Sequence, residues 1–198
     1  MVEVAVLLLA AGASSRMRGA DKLLQAVDGV TVLRRQAEAA LAAGADVVAC
    51  LAPDRPERRE ALAGLDLRCV TVADAVRGMS ASIRAGVAAL PEGCTGVMIL
   101  PADMPEIDAD DLRAVLAAFD TAGRDRVARG ASQDGTPGHP VLFPSRLFAA
   151  LSGLTGDAGA RSVLRGEDVV LVSLPGCHAL VDLDTPEDWA AWRASRGN

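Results

Sequence analysis

An apolar strand, Val4–Leu9, runs without a break into a loop of small residues, Ala10-Ala11-Gly12-Ala13-Ser14-Ser15, and two spaced cations follow, Arg16 and Lys22. Small residues let a backbone come close to a bound molecule, and consecutive free N–H groups form a concavity for an anion. Arg16 adds a planar fork of donors and Lys22 a point charge. Leu9, Ala10, Ala11, Gly12, Ser14, Arg16 and Lys22 together predict a nucleoside triphosphate site at the end of a strand. The segment is neither of the two common glycine-rich loops. A Walker loop needs Ser or Thr after its lysine, and Leu23 follows Lys22; a dinucleotide fingerprint needs three spaced glycines, and Gly12 stands alone until Gly19.

Strand and helix patterns alternate along the rest of the chain. Helical periodicity covers Val32–Ala43, Pro56–Ala63, Ser80–Leu90, Asp108–Asp120 and Pro186–Arg196, the last with Thr185 as N-cap. Strands are expected at Asp46–Ala52, Leu67–Val72, Gly96–Leu100, Val127–Ala131, Val141–Phe143 and Val169–Ser173. Such alternation predicts an α/β fold: one domain, residues 1–198, with a mostly parallel Rossmann-like sheet between two helical layers. Ligands of such sheets bind at the carboxyl ends of the strands.

Composition narrows the partners. A net charge of −6 without any basic run argues against nucleic acid. No apolar run approaches the roughly 18 residues of a membrane span, and Val2–Leu9 reads as a core strand rather than a leader, so a cytoplasmic protein is expected. Cys50, Cys69, Cys94 and Cys177 have no metal-ligand spacing and are given no chemistry.

The second motif is Leu100-Pro101-Ala102-Asp103-Met104-Pro105. A carboxylate at the carboxyl end of a buried strand, between prolines that fix the turn, suits magnesium, which takes carboxylate oxygen together with phosphates. Asp103 lies five residues before the helix expected near Asp108, too early to cap it. Asp182 and Asp184, two apart, would share one side of a strand and complete that site, unless Asp184 only supports the following helix. Gly78, Ser80 and Ser82 precede and open a helix, where backbone donors and hydroxyls suit a base or phosphate. Gly138-His139-Pro140 and Gly156-Asp157-Ala158-Gly159-Ala160-Arg161 are loops presenting His139, Asp157 and Arg161, each of which alone has an ordinary structural reading.

Taken together these motifs carry a resemblance from Val4 to Trp189. The first loop resembles the LAAGxSxRMG…K signature of the MobA-like nucleotidyltransferases, with Arg18 standing between Met17 and Gly19 where many relatives have the two adjacent. The order LAAG, LxDMP, GHP and GDxGAR resembles the CTP-dependent molybdenum cofactor cytidylyltransferases; the guanylyl-transferring relatives typically carry LAGG first. The resemblance implies the nucleotide-diphospho-sugar transferase fold and transfer of CMP from CTP to the phosphate of a molybdenum-bound pterin. It further implies Arg16, Lys22 and Asp103 as catalytic residues, Mg²⁺ on Asp103 and Asp184, an acceptor pocket of His139, Asp157 and Arg161, and a molybdoenzyme client. Alternatives are GTP or another phosphorylated acceptor, or a maturation factor or oxidoreductase-like relative serving molybdenum hydroxylases.

Overall fold

The computed structural model describes residues 3–156 and 159–197. Strands run β1 (Val4–Ala10), β2 (Ala26–Val27), β3 (Val30–Thr31), β4 (Asp46–Leu51), β5 (Arg68–Thr71), β6 (Gly96–Pro101), β7 (Val127–Ala131), β8 (Pro137–Pro144) and β9 (Val169–Ser173). Helices are α1 (Val32–Ala42), α2 (Pro56–Ala61), α3 (Met79–Ala88), α4 (Ala109–Thr121), α5 (Phe148–Ser152) and α6 (Pro186–Ser195).

The main sheet has the order β5-β4-β1-β6-β8-β7-β9. β1 lies between β4 and β6 and is parallel to both, with Leu7 opposite Val48 and Ile99. Only β8 runs against its neighbours, antiparallel to β6 and β7. The central strands are apolar throughout because both faces are covered. Val6 and Leu8 of β1, with Met98 and Leu100 of β6, face a core built with Leu33 of α1, Phe119 of α4 and Trp189 of α6. Leu7, Val97 and Ile99 point the other way, onto Ile83 of α3 and Leu151 of α5. This is the expected three-layer α/β/α arrangement.

The element limits moved for local reasons. Asp108 is not the first turn of α4 but its N-cap, accepting from the N–H groups of Asp110 and Asp111 in a capping box. β8 extends well beyond Val141–Phe143, because Pro137 pairs with Ala131 of β7 past an irregularity in the ladder and Pro144 pairs with Gly96 of β6. The β2–β3 hairpin and α5 were not anticipated; Asp28-Gly29, both at positive φ (52° and 81°), is the turn signal that announces the hairpin. Residues 181–184 lie outside any strand or helix, rather than in the strand considered for Asp182 and Asp184. Among the described residues no helix is long and apolar enough to cross a membrane.

One glycine ties this scaffold to the site. A Cβ on Gly138 would lie 1.9 Å from the carbonyl oxygen of Ala179, a backbone atom that cannot give way. Gly138→Ala is therefore expected to destabilise the fold by about 3 kcal/mol through overpacking. Equilibrium urea unfolding checks this; an unchanged midpoint would mean the two segments separate freely.

Candidate active site

β1 delivers Ala10 to the carboxyl edge of the sheet, and the chain leaves through two tight turns, Ser15–Met17 and Lys22–Leu24. Ser14 and Arg18 both adopt left-handed backbone, each at φ 52°. Arg18, the residue inserted between Met17 and Gly19, thus forms a corner of the loop, and its side chain pairs with Glu187 of α6. A Cβ on Gly12 would meet nothing within 4 Å, so the space beside it is left open by the protein itself.

The loop is held from below by Arg58 of α2, which is fully buried. Its guanidinium donates to Asp21 Oδ2 at 2.8 Å, to Asp21 Oδ1 and Ser14 Oγ at 3.0 Å, and to the Ala10 carbonyl at 2.6 Å. Ser14 Oγ also accepts from the Lys22 N–H at 3.3 Å. Burial opposes the charge on Asp21, but hydrogen bonds from Arg58 and the Leu23 N–H outweigh it and hold the carboxyl below its usual range.

Lys22 then reaches across the mouth of the sheet. Its ammonium donates to Asp103 Oδ2 and, at 2.7 Å, to Asp184 Oδ1, while Arg16 pairs with Asp184 Oδ2 at 2.6 Å. Burial alone would discourage the charge on Lys22; the carboxylates of Asp103 and Asp184 reverse this and hold its pKa above the ordinary lysine value. Asp103 follows the end of β6, and the Leu183 N–H donates to its carbonyl at 3.1 Å, fastening the Asp182–Asp184 segment beside it. The Asp182 carboxyl is pushed up, by burial first and then by the charges of Asp103 and Asp184.

These groups border one end of a cavity of about 670 Å³. Ile83, Ile99, Val141, Phe143 and Leu164 supply its apolar lining, and Arg129, His139 and Arg161 stand in its wall. Arg129 donates to the Gly138 carbonyl at 2.9 Å and makes no ion pair among the described residues. Burial and then the charge of Arg161 lower its pKa. His139 Nδ1 is buried without a hydrogen-bond partner. Burial, followed by the charge of Arg129, pulls the His139 pKa down to about 4, so the ring is neutral at physiological pH.

The structure thus brings together Arg16, Lys22, Asp103, Asp184, His139 and Arg161 around one cavity. Ala10 and Ala11 are buried under the loop, and Leu9 contributes its carbonyl, which accepts from the Ala102 N–H at 3.2 Å. Three predicted contacts lie elsewhere. The Ser14 hydroxyl is engaged by Arg58, Asp21 and Lys22 rather than open to a ligand. The Ser80 hydroxyl donates to the Gly156 carbonyl, and Ser82 is buried within α3. Gly78 is the N-cap of α3, at φ 86°, but from this turn Met79 and Ile83 line the cavity. Asp157 lies outside the described residues. Sequence reasoning missed Arg58 and Arg129 entirely: each sits in an unremarkable local pattern, and only the fold carries it to the site. Asp182 was seen but left undecided, and it lines the cavity beside Asp184.

The donor set suits a hard divalent cation. Asp103, Asp182 and Asp184 crowd negative charge at one edge, and burial first and that crowding second raise the pKa of Asp182. Among the described residues no group of three or more His, Cys, Asp or Glu forms a closed metal cage. Magnesium does not need one, since it takes one or two carboxylates and completes its shell with phosphates and water.

Residues 6–171 match the MobA-like NTP transferase domain family, and the chain belongs to that family. Over 120 residues, 59% of this chain, it is 33% identical to the purine catabolism protein PucB of Bacillus subtilis, of whose length the match spans 56%. The chain therefore spans little more than half of that curated relative. Rv0371c of Mycobacterium tuberculosis superposes with a TM-score of 0.83 at 26% identity, covering 96% of this chain and 97% of that one. The same mycobacterial protein has been crystallised with manganese. A nucleotidyl transferase from Methanothermobacter, Mth528, superposes with a TM-score of 0.80 at 25% identity over 99% of both chains.

The His139 environment makes a pH prediction. The unfolded imidazole titrates near 6.5 and the folded one at about 4. Below pH 6.5 the unfolded chain binds a proton that the folded chain refuses, so stability falls as pH drops and levels off below about 4. Between pH 7 and pH 5, the wild type is expected to lose about 2 kcal/mol more than His139→Gln. Denaturant titrations of both proteins at the two pH values measure this difference; parallel losses would mean the imidazole is not held neutral.

Proposed function

We propose that this member of the MobA-like NTP transferase family is a magnesium-dependent cytidylyltransferase that transfers CMP from CTP to the phosphate of a molybdenum-bound pterin. The observation that carries the reading is the meeting of Lys22 and Arg16 with Asp103 and Asp184 at the mouth of a cavity whose inner wall is cationic. In the reaction an oxygen of the acceptor phosphate forms a bond to the α-phosphorus of CTP. The bond from that phosphorus to the bridging oxygen breaks, and pyrophosphate leaves.

Such transfer asks a protein for positioning and charge neutralisation rather than covalent work. The backbone from Leu9 to Ser14, with Gly12 leaving open space, receives the triphosphate, and Gly78 brings the start of α3 to the nucleotide end. Arg16 and Lys22 neutralise charge that accumulates on the departing pyrophosphate. Asp103 and Asp184 would hold Mg²⁺, which when bound supplies further neutralisation of the phosphates. His139 offers a neutral imidazole to the acceptor, Arg161 and Arg129 suit its phosphate, and an acceptor role for Asp157 comes from the motif resemblance alone. The apolar stretch from Ile83 to Leu164 accommodates the uncharged ring system. CTP as donor, the pterin as acceptor and a molybdoenzyme client come from the motif resemblance. A second reading, also from the motif resemblance, is a maturation factor that binds the pterin and a client enzyme without turnover; PucB, to which the chain is similar, is named for purine catabolism.

Calorimetry with CTP, GTP and ATP in the presence of Mg²⁺ tests the donor. Preference for CTP is expected; preference for GTP would move the chain to guanylyl transfer, and binding without turnover would favour the second reading. Lys22→Ala is expected to lower turnover by roughly 10²–10³, the scale of one lost electrostatic donor. Activity near that of the wild type would remove Lys22 from the mechanism. Asp103→Asn should lose activity and Mg²⁺ dependence together while leaving the fold intact, and an unchanged metal response would place the metal elsewhere.

A further inference from the structure

We propose that Arg58 is the positioning residue of the first loop: one buried guanidinium fixes the end of β1, the turn at Ser14 and the Asp21–Lys22 step, and so holds Lys22 over Asp103 and Asp184. The inference rests on the triphosphate reading of that loop.

Apolar packing holds the loop only in part. Gly12, Ala13, Ser15 and Arg16 are exposed, and Ser14 and Arg18 occupy left-handed corners. Apolar anchoring comes from Ala11, Met17 and Leu23, and Leu23, next to Lys22, is seated in the core, whereas the corners at Ser14 and Asp21 are held by polar contacts. Against this, four donor contacts from Arg58 reach Ala10, Ser14 and both oxygens of Asp21. Asp21 passes the constraint on, through its Oδ1, to the Ser14 hydroxyl at 3.2 Å and to the Leu23 N–H at 2.9 Å. Lys22 lies between these anchor points, with its own N–H bound to Ser14 Oγ. Arg55, from the turn before α2, adds a contact to the Ala13 carbonyl at 3.1 Å.

The nature of α2 strengthens the case. Within this six-residue helix the buried residue is Arg58, where a helix serving only the core would bury an apolar side chain. Arginine is almost never fully buried unless paired. A buried ion pair is also a poor source of stability, since apolar residues of similar volume often do as well. What an apolar residue cannot do is direct donors at once to a strand end, a hydroxyl and a carboxylate. A lysine cannot do it either, because its single ammonium lacks the fork.

The test separates positioning from stability. Mg²⁺–CTP affinity by calorimetry and melting temperature are measured for the wild type, Arg58→Lys, and the double variant Arg58→Met with Asp21→Asn. Arg58→Lys keeps the charge opposite Asp21, and the double variant leaves no unpaired buried charge, so each is expected to melt within several degrees of the wild type. Both are nevertheless expected to bind Mg²⁺–CTP at least tenfold more weakly. Wild-type affinity in either folded variant would overturn the positioning role while leaving the triphosphate reading intact. A wild-type protein that binds no nucleoside triphosphate would overturn the triphosphate reading, and this inference with it.

Discussion

The contact of Lys22 with Asp103 and Asp184 joins parts of the chain that are 81 and 162 residues apart in sequence. It closes the first loop over the ends of β1 and β6 and draws in the segment that leads to α6. Each partner is mostly withdrawn from water, so the attraction is stronger than that of a surface pair. The surrounding structure can be read as what this contact requires. A parallel sheet brings two strand ends to one edge, Asp103 turns back over that edge, and the Leu183–Asp103 backbone bond lays the C-terminal segment beside it.

Much of this was legible because the informative residues announce themselves locally. The Val4–Leu9 run continuing into small residues predicts both a buried central strand and an open loop after it, and β1 with its exit is what the fold contains. Asp103 could be placed from its position after Gly96–Leu100, since a strand end in an α/β sheet has only one kind of neighbourhood. Arg58 and Arg129 were not legible. An arginine on a short charged helix and an arginine in a short strand look solvated in sequence, and only the crossover through α2 and the pairing of β7 between β8 and β9 turn them inward. Ser14 and Ser80 show the opposite limit: a hydroxyl beside a ligand loop serves equally to bind a ligand or to fasten the loop. Their partners, Arg58 and Gly156, lie 44 and 76 residues away.

The cavity is electrically divided, although the chain as a whole carries a net charge of −6. At the mouth, two cations face Asp103, Asp182 and Asp184, so the local balance is negative and favours an added metal ion. In the inner wall, Arg129 and Arg161 stand together, and Arg129 hydrogen-bonds the Gly138 and Pro137 carbonyls instead of a carboxylate. Two like charges near one another in a partly buried wall are costly, and an anion from outside relieves that cost. A polyphosphate with its metal therefore suits one end and a free anion the other, with apolar surface between them. Two substrates, each charged differently with respect to metal, fit this division better than one long substrate would.

Under the proposed reaction the Lys22 contact has to exchange partners. Without substrate, the ammonium neutralises the two carboxylates assigned to the metal, and Arg16 shares Asp184 with it. Those carboxylates cannot serve a metal and keep Lys22 at full strength. Delivering a metal alone would set two positive charges against each other in a confined space. Delivering a triphosphate alone would set it against three carboxylates. Delivered together they would balance: Asp103 and Asp184 would hold the metal, and Lys22 and Arg16, already at the loop, would neutralise phosphate. The cations and carboxylates already stand together at the loop, so much of the electrostatic work would be done before the reacting groups meet. An ion cluster that looks like a structural staple is, on this account, the site held ready in its own counter-charges.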